Sequence, residues 1–556
     1  MQLNLAKRFL SLSKAVKIIK KYKIEFVLLI ISLVFSYWLM FSTFSYQNGS
    51  MEISTKAWSD FASHVPLIRS FSFGNNFPPE YPLFSGPPIR YHFLFYAFVG
   101  ILEKIGVRID YALNIPSILG FSFLILMIYI FSKEVFKSRA VGILSVVLFL
   151  FNGSLSFVKY FSTNNFSKEA LINLVNSNKF ISFGPYDSST ISAFWNLNIY
   201  TNQRHLALSY ALSLFIIYFF IKKDRKIDIK RAVLIGIALG LSFVLNMAVF
   251  AINLSVLGTM FLLFNKNRLS IFITLLTGAI VALPQYVWMQ SLDSAFKPFI
   301  HLGYLVQNLN LYGFIDYWFQ NLGLHLVLIP LAFLLVDKYK RKILLSFFTL
   351  FIIGNLIQFS PEIAANHKFF NLFMIIGVMY SSYLLVLMWN KKIFLRSVVV
   401  IFFILLILSG IMDFFPLLND KKISLPDYPN NPNISWIMKN TNPDSVFLNT
   451  EYLYDNASLA GRKIFLGWPY FSWSQGYDTD EKYKVMSQML TADNKNTACK
   501  LLIVNKINYI EINENNLNDP NLPRVSGIFK SKFTAVYKNS LKRYFIYDVN
   551  KSCKTI

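Results

Sequence analysis

The sequence predicts a polytopic α-helical membrane protein followed by a smaller α/β domain, and three observations predict it. Of its 556 residues, 54% are apolar and only 15% charged, against roughly 25% charged in a soluble domain. Aromatic residues make up 17%, as expected where helices face lipid and end in interfacial belts. Lysine and arginine together exceed aspartate and glutamate by 25. The basic residues cluster between apolar runs, where they report topology rather than nucleic-acid binding.

Eleven apolar runs approach the roughly 20 residues that a crossing requires. They lie near 24–44, 111–131, 140–156, 204–221, 232–247, 249–264, 270–290, 316–336, 343–359, 370–389 and 396–416. The stretch 231–266 reads either as two short helices turning near Asn246 or as one helix with a long tail. A further run, Pro88 to Leu102, sets the parity. If it crosses, the basic loops 132–140 and 222–231 fall across the membrane from the basic N-terminus. If it lies along the outer surface or re-enters, short loops on one side hold 25 basic residues, and the longer segments opposite hold 11. That asymmetry favours about eleven transmembrane helices, a cytoplasmic N-terminus and an external C-terminus in a multi-pass cell-membrane protein. The N-terminal segment lacks a small-residue cleavage site and its apolar run is too long for a signal peptide, so it reads as a retained first helix.

Two domains follow: a transmembrane domain over 1–417, which includes a first external loop at 45–110, and an external α/β domain over 418–556. From about Asp420 the composition turns polar and mixed. Short strands at Ser445–Glu451, Tyr509–Asn513 and Tyr544–Val549 alternate with helical stretches such as Asp480–Leu490. The only two cysteines, Cys499 and Cys553, lie in this domain. Pairing cannot be read from sequence, so a disulfide and two free thiols both stay open.

The unusual polar residues gather at the external ends of the spans. The first external loop holds Trp58-Ser59-Asp60 and His64, then a proline-rich turn, then Arg90-Tyr91-His92. Asp60 and His64 are four apart, so a helix presents both on one face. Arg204-His205 and His367-Lys368 each stand just before or at the start of a span. Each has a plainer reading: a lone aspartate on an interfacial helix is usually a solvated face, interfacial histidines are common, and Arg204 and Lys368 can snorkel to headgroups. His325, inside an apolar run, is a functional candidate by position, though a hydrogen-bonded structural histidine is the commoner case. Taken together, one carboxylate and several cationic or imidazole groups at one membrane boundary form a site for an anionic lipid headgroup. A phosphate leaving group needs positive charge or donors aimed where its charge develops, and a carboxylate opposite can deprotonate or orient an acceptor hydroxyl. No P-loop, GxSxG, HExxH or paired-cysteine metal pattern occurs in a fitting context. Asp60 has no acidic residue two positions away, so a divalent metal is not indicated and no cofactor is expected.

At these residues the chain resembles the GT-C superfamily of integral-membrane glycosyltransferases, most closely uncharacterised prokaryotic members related to protein mannosyltransferases and oligosaccharyltransferase catalytic subunits. The likeness rests on Trp58-Ser59-Asp60 with Gly86-Pro87-Pro88-Ile89-Arg90-Tyr91-His92-Phe93, on Asn202-Gln203-Arg204-His205-Leu206-Ala207, and on Asn366-His367-Lys368-Phe369-Phe370. It continues in the tail with Ala460-Gly461-Arg462, Gly467-Trp468-Pro469-Tyr470 and Trp473-Ser474-Gln475-Gly476-Tyr477-Asp478. The resemblance implies transfer of a sugar from a polyprenyl-phosphate-linked donor, by inversion, to a glycan, lipid or protein acceptor on the external face. Asp60 is then the catalytic candidate, with His64 assisting. Arg90, His92, Arg204, His205, His367 and Lys368 would hold the donor phosphate and lipid, while Arg462, Trp468 and Trp473 would line the acceptor side. The chain departs from the Asp-Glu pair of protein mannosyltransferases and the metal-binding Asp-x-Asp of oligosaccharyltransferases, which leaves metal use and acceptor open. The rival readings are a transporter or lipid flippase, which would place polar residues at mid-membrane on broken helices, and a non-catalytic membrane scaffold.

Overall fold

The computed structural model describes residues 22–152, 154–182, 190, 192–222, 226–290 and 296–554. Among them, six helices are long and apolar enough to cross a bilayer: Lys23–Thr43, Ile109–Phe136, Arg204–Ile221, Arg268–Met289, Ile363–Trp389 and Ile393–Leu418. At about 1.5 Å per residue, the 21 residues of the first one rise roughly 31 Å, the thickness of a hydrocarbon core. Its burial is inverted relative to a soluble helix. Ser32 and Ser36 face inward while Ile31 and Val34 lie outside, Val34 at 67% exposure. Ser36 Oγ accepts from Ser122 Oγ on Ile109–Phe136, so small polar residues join the helices and apolar ones face the surroundings. Ile393–Leu418 follows the same logic. Its Gly410 lies against Phe151, whose carbonyl oxygen would stand 2.0 Å from any added Cβ.

The remaining apolar runs are shorter, more polar or bent. The 231–266 stretch forms two helices, Ile229–Leu245 and Met247–Leu263. Asn246 between them is extended, and its Oδ1 accepts from Val249 N to cap the second helix. The 316–336 run is a pair, Leu311–Leu322 and His325–Leu335, bent by 91° around Gly323, whose φ is +54°. His325 opens the second member, and its Nδ1 hydrogen-bonds Ser381 Oγ at 2.9 Å. It pins the bend. Leu94–Lys104, within the parity-setting run, has 11 residues, about half the rise a crossing requires.

The first loop and the tail are one construction. A hairpin of Phe44–Gln47 and Ser50–Ser54 turns at Asn48-Gly49, both with positive φ. Lys422–Pro426, beyond the last span, adds to it antiparallel with Met51 opposite Leu425. Asp420 gathers Ser54 Oγ, Thr55 Oγ1, Lys56 N and Lys56 Nζ on one carboxylate. Next comes the helix Trp58–Ser72, whose buried Arg69 pairs with Asp427 at 2.6 Å and with Glu103 at 3.2 Å. Glu103 also accepts from Ser72 Oγ. One guanidinium thus ties the loop helix to Leu94–Lys104 and to the start of the tail.

The tail is an α/β unit around a five-stranded sheet ordered Lys463–Ile464, Val446–Leu448, Tyr509–Asn513, Tyr544–Asp548 and Ala535–Asn539. The first three strands pair parallel and the rest antiparallel. Cys499 and Cys553 are joined as a disulfide with Cα atoms 5.6 Å apart. Removing one partner from a buried ion group leaves uncompensated charge, at a cost of about 3–5 kcal/mol. Arg69→Ala should lower stability by that order in detergent-solubilised protein followed by thermal or denaturant unfolding. A wild-type unfolding curve would show that the three segments are held by other contacts.

Candidate functional site

Trp58–Ser72 begins at the base of the loop hairpin, where Ile53 stands opposite Phe44, and carries Asp60 and His64 on one face, as their spacing predicts. Asp60 is half-buried. Among the described residues its carboxylate accepts no hydrogen bond and touches no cation within 4 Å. Burial pushes it up to about 6, opposed by the positive charge of Lys368. Lys368 lies in the first turn of His367–Trp389, is 9% exposed, and donates no hydrogen bond from Nζ among the described residues. Carboxylate and ammonium therefore lie within electrostatic reach and out of contact, and the space between them is termed the slot.

Two helix N-termini point positive ends toward this region. The helices His367–Trp389 and Arg204–Ile221 both start without a side-chain cap, and Tyr210 Oη of the second donates to Lys368 O at 2.9 Å. Lys368 is held at this depth by the short 3₁₀ turn Ile363–Asn366, whose Asn366 Nδ2 donates to Gly354 O and Ile357 O.

The wall of the slot is aromatic. Tyr91, Tyr96 and Tyr454 all feel the charge of Asp60. His64 stacks on Tyr96 at 4.5 Å and approaches Tyr91 Oη at 3.4 Å. Tyr96 Oη hydrogen-bonds His205 Nδ1 at 2.8 Å, and the Nε2 atoms of His205 and His92 share a hydrogen bond at 2.7 Å. One ring must donate and the other accept, so the two imidazoles are not both doubly protonated. Burial, reinforced by Arg204, pulls His64 down to about 3, and burial with the nearby Lys368 charge pulls His92 well below its ordinary range. Burial thus favours the neutral form of His64 and His92. They furnish hydrogen-bond directionality and not positive charge.

The structure thus brings Asp60, His64, His92, His205 and Lys368 together. Arg204 is adjacent, lying over the Phe61 ring at 5.6 Å, but its guanidinium is turned to the first span, where Nη2 donates to Thr43 Oγ1 and Met40 O and Nη1 meets Met40 Sδ. His367 stacks on Phe194 at 4.5 Å and pairs with Asn371. Arg90 binds Gly476 O through Nη1 and lies over Tyr477, so it fastens the loop to the tail. Arg462 is buried and donates to Phe73 O, Ala460 O, Met438 O and Thr441. It closes the end of the helix Pro432–Asn440 against the loop and does not face a ligand. Trp468 is half-buried against Tyr452. Trp473 is 40% exposed and adjoins Tyr470 at 5.8 Å, whose Oη donates to Glu362 Oε2 on the segment leading to Lys368.

Two site residues escaped the sequence reading. Tyr454 donates through Oη to Trp58 O at 2.6 Å and its ring lies 4.1 Å from that of Trp58. Nothing nearby in its own sequence marks it, because it reaches the site across the tail fold. Tyr96 lies inside the apolar run Pro88 to Leu102, where no motif singles it out. Among the described residues, no group of three His, Cys, Asp or Glu side chains is placed to hold a metal ion.

No family model and no curated protein matches the chain by sequence. Among solved structures it is similar to the Archaeoglobus fulgidus oligosaccharyltransferase tethered with an acceptor peptide containing the NVT sequon, at 12% identity and a TM-score of 0.48, over 89% of this chain and 69% of that one. The same values hold for AglB from Archaeoglobus fulgidus in complex with an inhibitory peptide and a dolichol-phosphate. For apo ArnT from Cupriavidus metallidurans the identity is 10% and the TM-score 0.47, over 94% and 97% of the two chains. These are likenesses of chain path, and the reading of the site rests on its own residues.

A carboxyl group held up to about 6 favours its neutral form in the folded state, against 3.8 for an ordinary aspartate. Its ionisation therefore costs stability as the pH rises from about 4 through about 6. Asp60→Asn should be more stable to unfolding than wild type at pH 7.5, by about 1–3 kcal/mol at roughly 1.4 kcal/mol per pH unit, and the gap should close toward pH 4. A gap independent of pH would show that Asp60 is solvated like a surface carboxylate.

Proposed function

We propose that this chain is a membrane glycosyltransferase of the GT-C kind. It moves a sugar from a polyprenyl-phosphate-linked donor to an acceptor hydroxyl or amide, with inversion. The observation that carries the reading is one half-buried carboxylate within electrostatic reach of one buried ammonium, with no ion pair joining them among the described residues and with tyrosines that feel the same charge beside them.

The chemistry follows from that geometry. Lys368 and the start of Arg204–Ile221, which no side chain caps, concentrate positive potential where a phosphate leaving group gains charge as the sugar departs. Asp60, held near 6 by burial, is poised to accept a proton close to neutrality, so it deprotonates or orients the acceptor. Lys368 is the charged side chain acting on Asp60. Among the described residues the arrangement supplies one base and no second carboxylate beside it, which suits direct displacement at the anomeric carbon and hence inversion. His64, His92, His205 and Tyr96 hold the walls and the depth of the slot as neutral donors and acceptors. Trp473 and Tyr470 offer exposed ring faces on the tail side for an acceptor. Arg204, Arg90 and Arg462 keep the parts in register.

The topology follows the same reading: about eleven crossings, N-terminus in the cytoplasm, slot and tail outside. The disulfide of the tail suits an oxidising compartment, and basic residues concentrate in the short loops at the other end of the bundle.

Purified protein incubated with a panel of radiolabelled polyprenyl-phosphate sugars should transfer label to a lipid or glycan acceptor, with the same rate when a divalent chelator is added. Asp60→Asn should lower kcat by about 10²–10⁴-fold while retaining the fold. Full activity of Asp60→Asn would overturn the assignment. Lys368→Met should lower kcat and donor affinity together, and a change confined to the acceptor KM would place Lys368 on the wrong side of the reaction.

A further inference from the structure

At the end of the bundle opposite the slot, four helix ends surround a cavity of about 570 Å³. Its ceiling comes from the C-terminal ends of Arg204–Ile221 and Met247–Leu263, and its sides from the N-terminal ends of Arg268–Met289 and Lys338–Leu356. Arg204–Ile221 spans 18 residues, so about 27 Å separates the two ends. The floor is apolar: Phe220 and Phe264 are buried, and Tyr339 meets Phe264 edge to face at 5.5 Å. The wall is basic, with Lys222, Lys266, Lys338 and Lys342 lining it and, among the described residues, a single acid, Asp337.

The charge balance is one-sided. Asp337 caps its own helix through Tyr339 N and Lys340 N and pairs with Lys340 Nζ, so among the described residues it forms no ion pair with Lys222, Lys338 or Lys342. Lys338 makes no ion pair among the described residues. Lys342 donates to Leu263 O at 2.6 Å, and Lys222 lies over the Tyr218 ring. Neither contact removes a positive charge. The segments that line it carry outward-facing leucines within a few residues in sequence: Leu262, Leu269, Leu334 and Leu335 are between 55% and 70% exposed. A bowl that is basic within and bordered by outward-facing leucines matches a molecule with an anionic head and an apolar tail, where a freely soluble anion would gain nothing from the rim.

We propose that this cavity is a binding site for the phosphate headgroup of an anionic membrane lipid, on the membrane face opposite the slot. The phosphate sits among Lys222, Lys338 and Lys342, and its acyl chains descend along the leucines. The site rests on reading these helices as membrane spans and does not depend on the transferase reading.

The test uses full-length delipidated protein and measures retention of dioleoyl-phosphatidylglycerol by native mass spectrometry, with dioleoyl-phosphatidylcholine and free glycerol phosphate as separate arms. Wild type should retain the anionic lipid in preference to the zwitterionic one, and glycerol phosphate at equal concentration should not displace it. Lys222→Gln with Lys338→Gln should weaken retention by about thirtyfold, from roughly 1 kcal/mol per lysine near an anionic group. Lys391→Gln with Lys392→Gln, an exposed pair at the same end of the bundle, should leave retention unchanged. Equal loss in both double variants would reduce the effect to general surface charge. Displacement by glycerol phosphate would make the ligand a soluble anion. Either result overturns the proposal, as does equal retention of the two lipids by wild type. None of these readouts involves sugar transfer, so failure here and failure of the transferase reading are separable.

Discussion

Arg69 is buried in the middle of a helix that belongs to neither the membrane bundle nor the tail, and its guanidinium reaches both Glu103 and Asp427. Three charges withdrawn from water carry a heavy desolvation penalty, and only close geometry and further hydrogen bonds offset it. Here Ser72 supplies one of those bonds to Glu103. The consequence is positional. The helix that carries Asp60 is clamped two turns downstream of it, to a short membrane-boundary helix on one side and to the first turn of the tail on the other. Asp420 performs a similar service at the preceding turn. Asp60 is therefore placed by a rigid polar frame, while its own carboxylate remains free of partners.

That freedom sets the electrostatics of the site. A carboxylate and an ammonium that touched would hold each other ionised and occupied. Kept apart, each retains its charge interactions for a third group. The neutral histidines matter in the same way, because a cluster of imidazolium ions would repel Lys368 and blur the direction of the field. The chain His92–His205–Tyr96 with His64 stacked above it is a scaffold of directional hydrogen bonds in a place where water is scarce. Positive potential is left to one side chain and to backbone dipoles, which do not need to be desolvated on ligand entry.

Much of this was legible in the sequence, and what was not has physical reasons. The long apolar helices followed from run length alone, and the tail strands at Tyr509–Asn513 and Tyr544–Asp548 stand where β-rich alternation puts them. Asp60 and His64 share a face because four residues make about one helical turn. The break at Asn246 was an open alternative because an isolated asparagine can cap a helix or lie within one; its extended backbone decides it. The bend at Gly323 was missed because glycine inside an apolar run gives no sign of its φ. The arginines were the least legible. Arg90, Arg204 and Arg462 sit in the motifs that point to an anionic ligand, yet each finds backbone or thioether partners through folding contacts remote in sequence. Charge type is visible in a sequence, but the direction of a guanidinium is not. Tyr454 is the converse case, a slot residue delivered by tertiary structure with no local motif.

The three-stranded sheet at the root of the loop has a bearing on how the chain is made. Ser50–Ser54 exposes an unpaired edge until Lys422–Pro426 arrives, about 370 residues later in the order of synthesis. At 5–20 residues per second that interval is roughly 20–75 seconds, during which the hairpin beside Asp60 is an open template for any passing strand. The loop is thus completed only after Ile393–Leu418 has been made, and a nascent chain truncated before that point would carry Asp60 on an unfinished loop. Newly made protein in the membrane would accordingly pass through an inert stage whose length is set by translation.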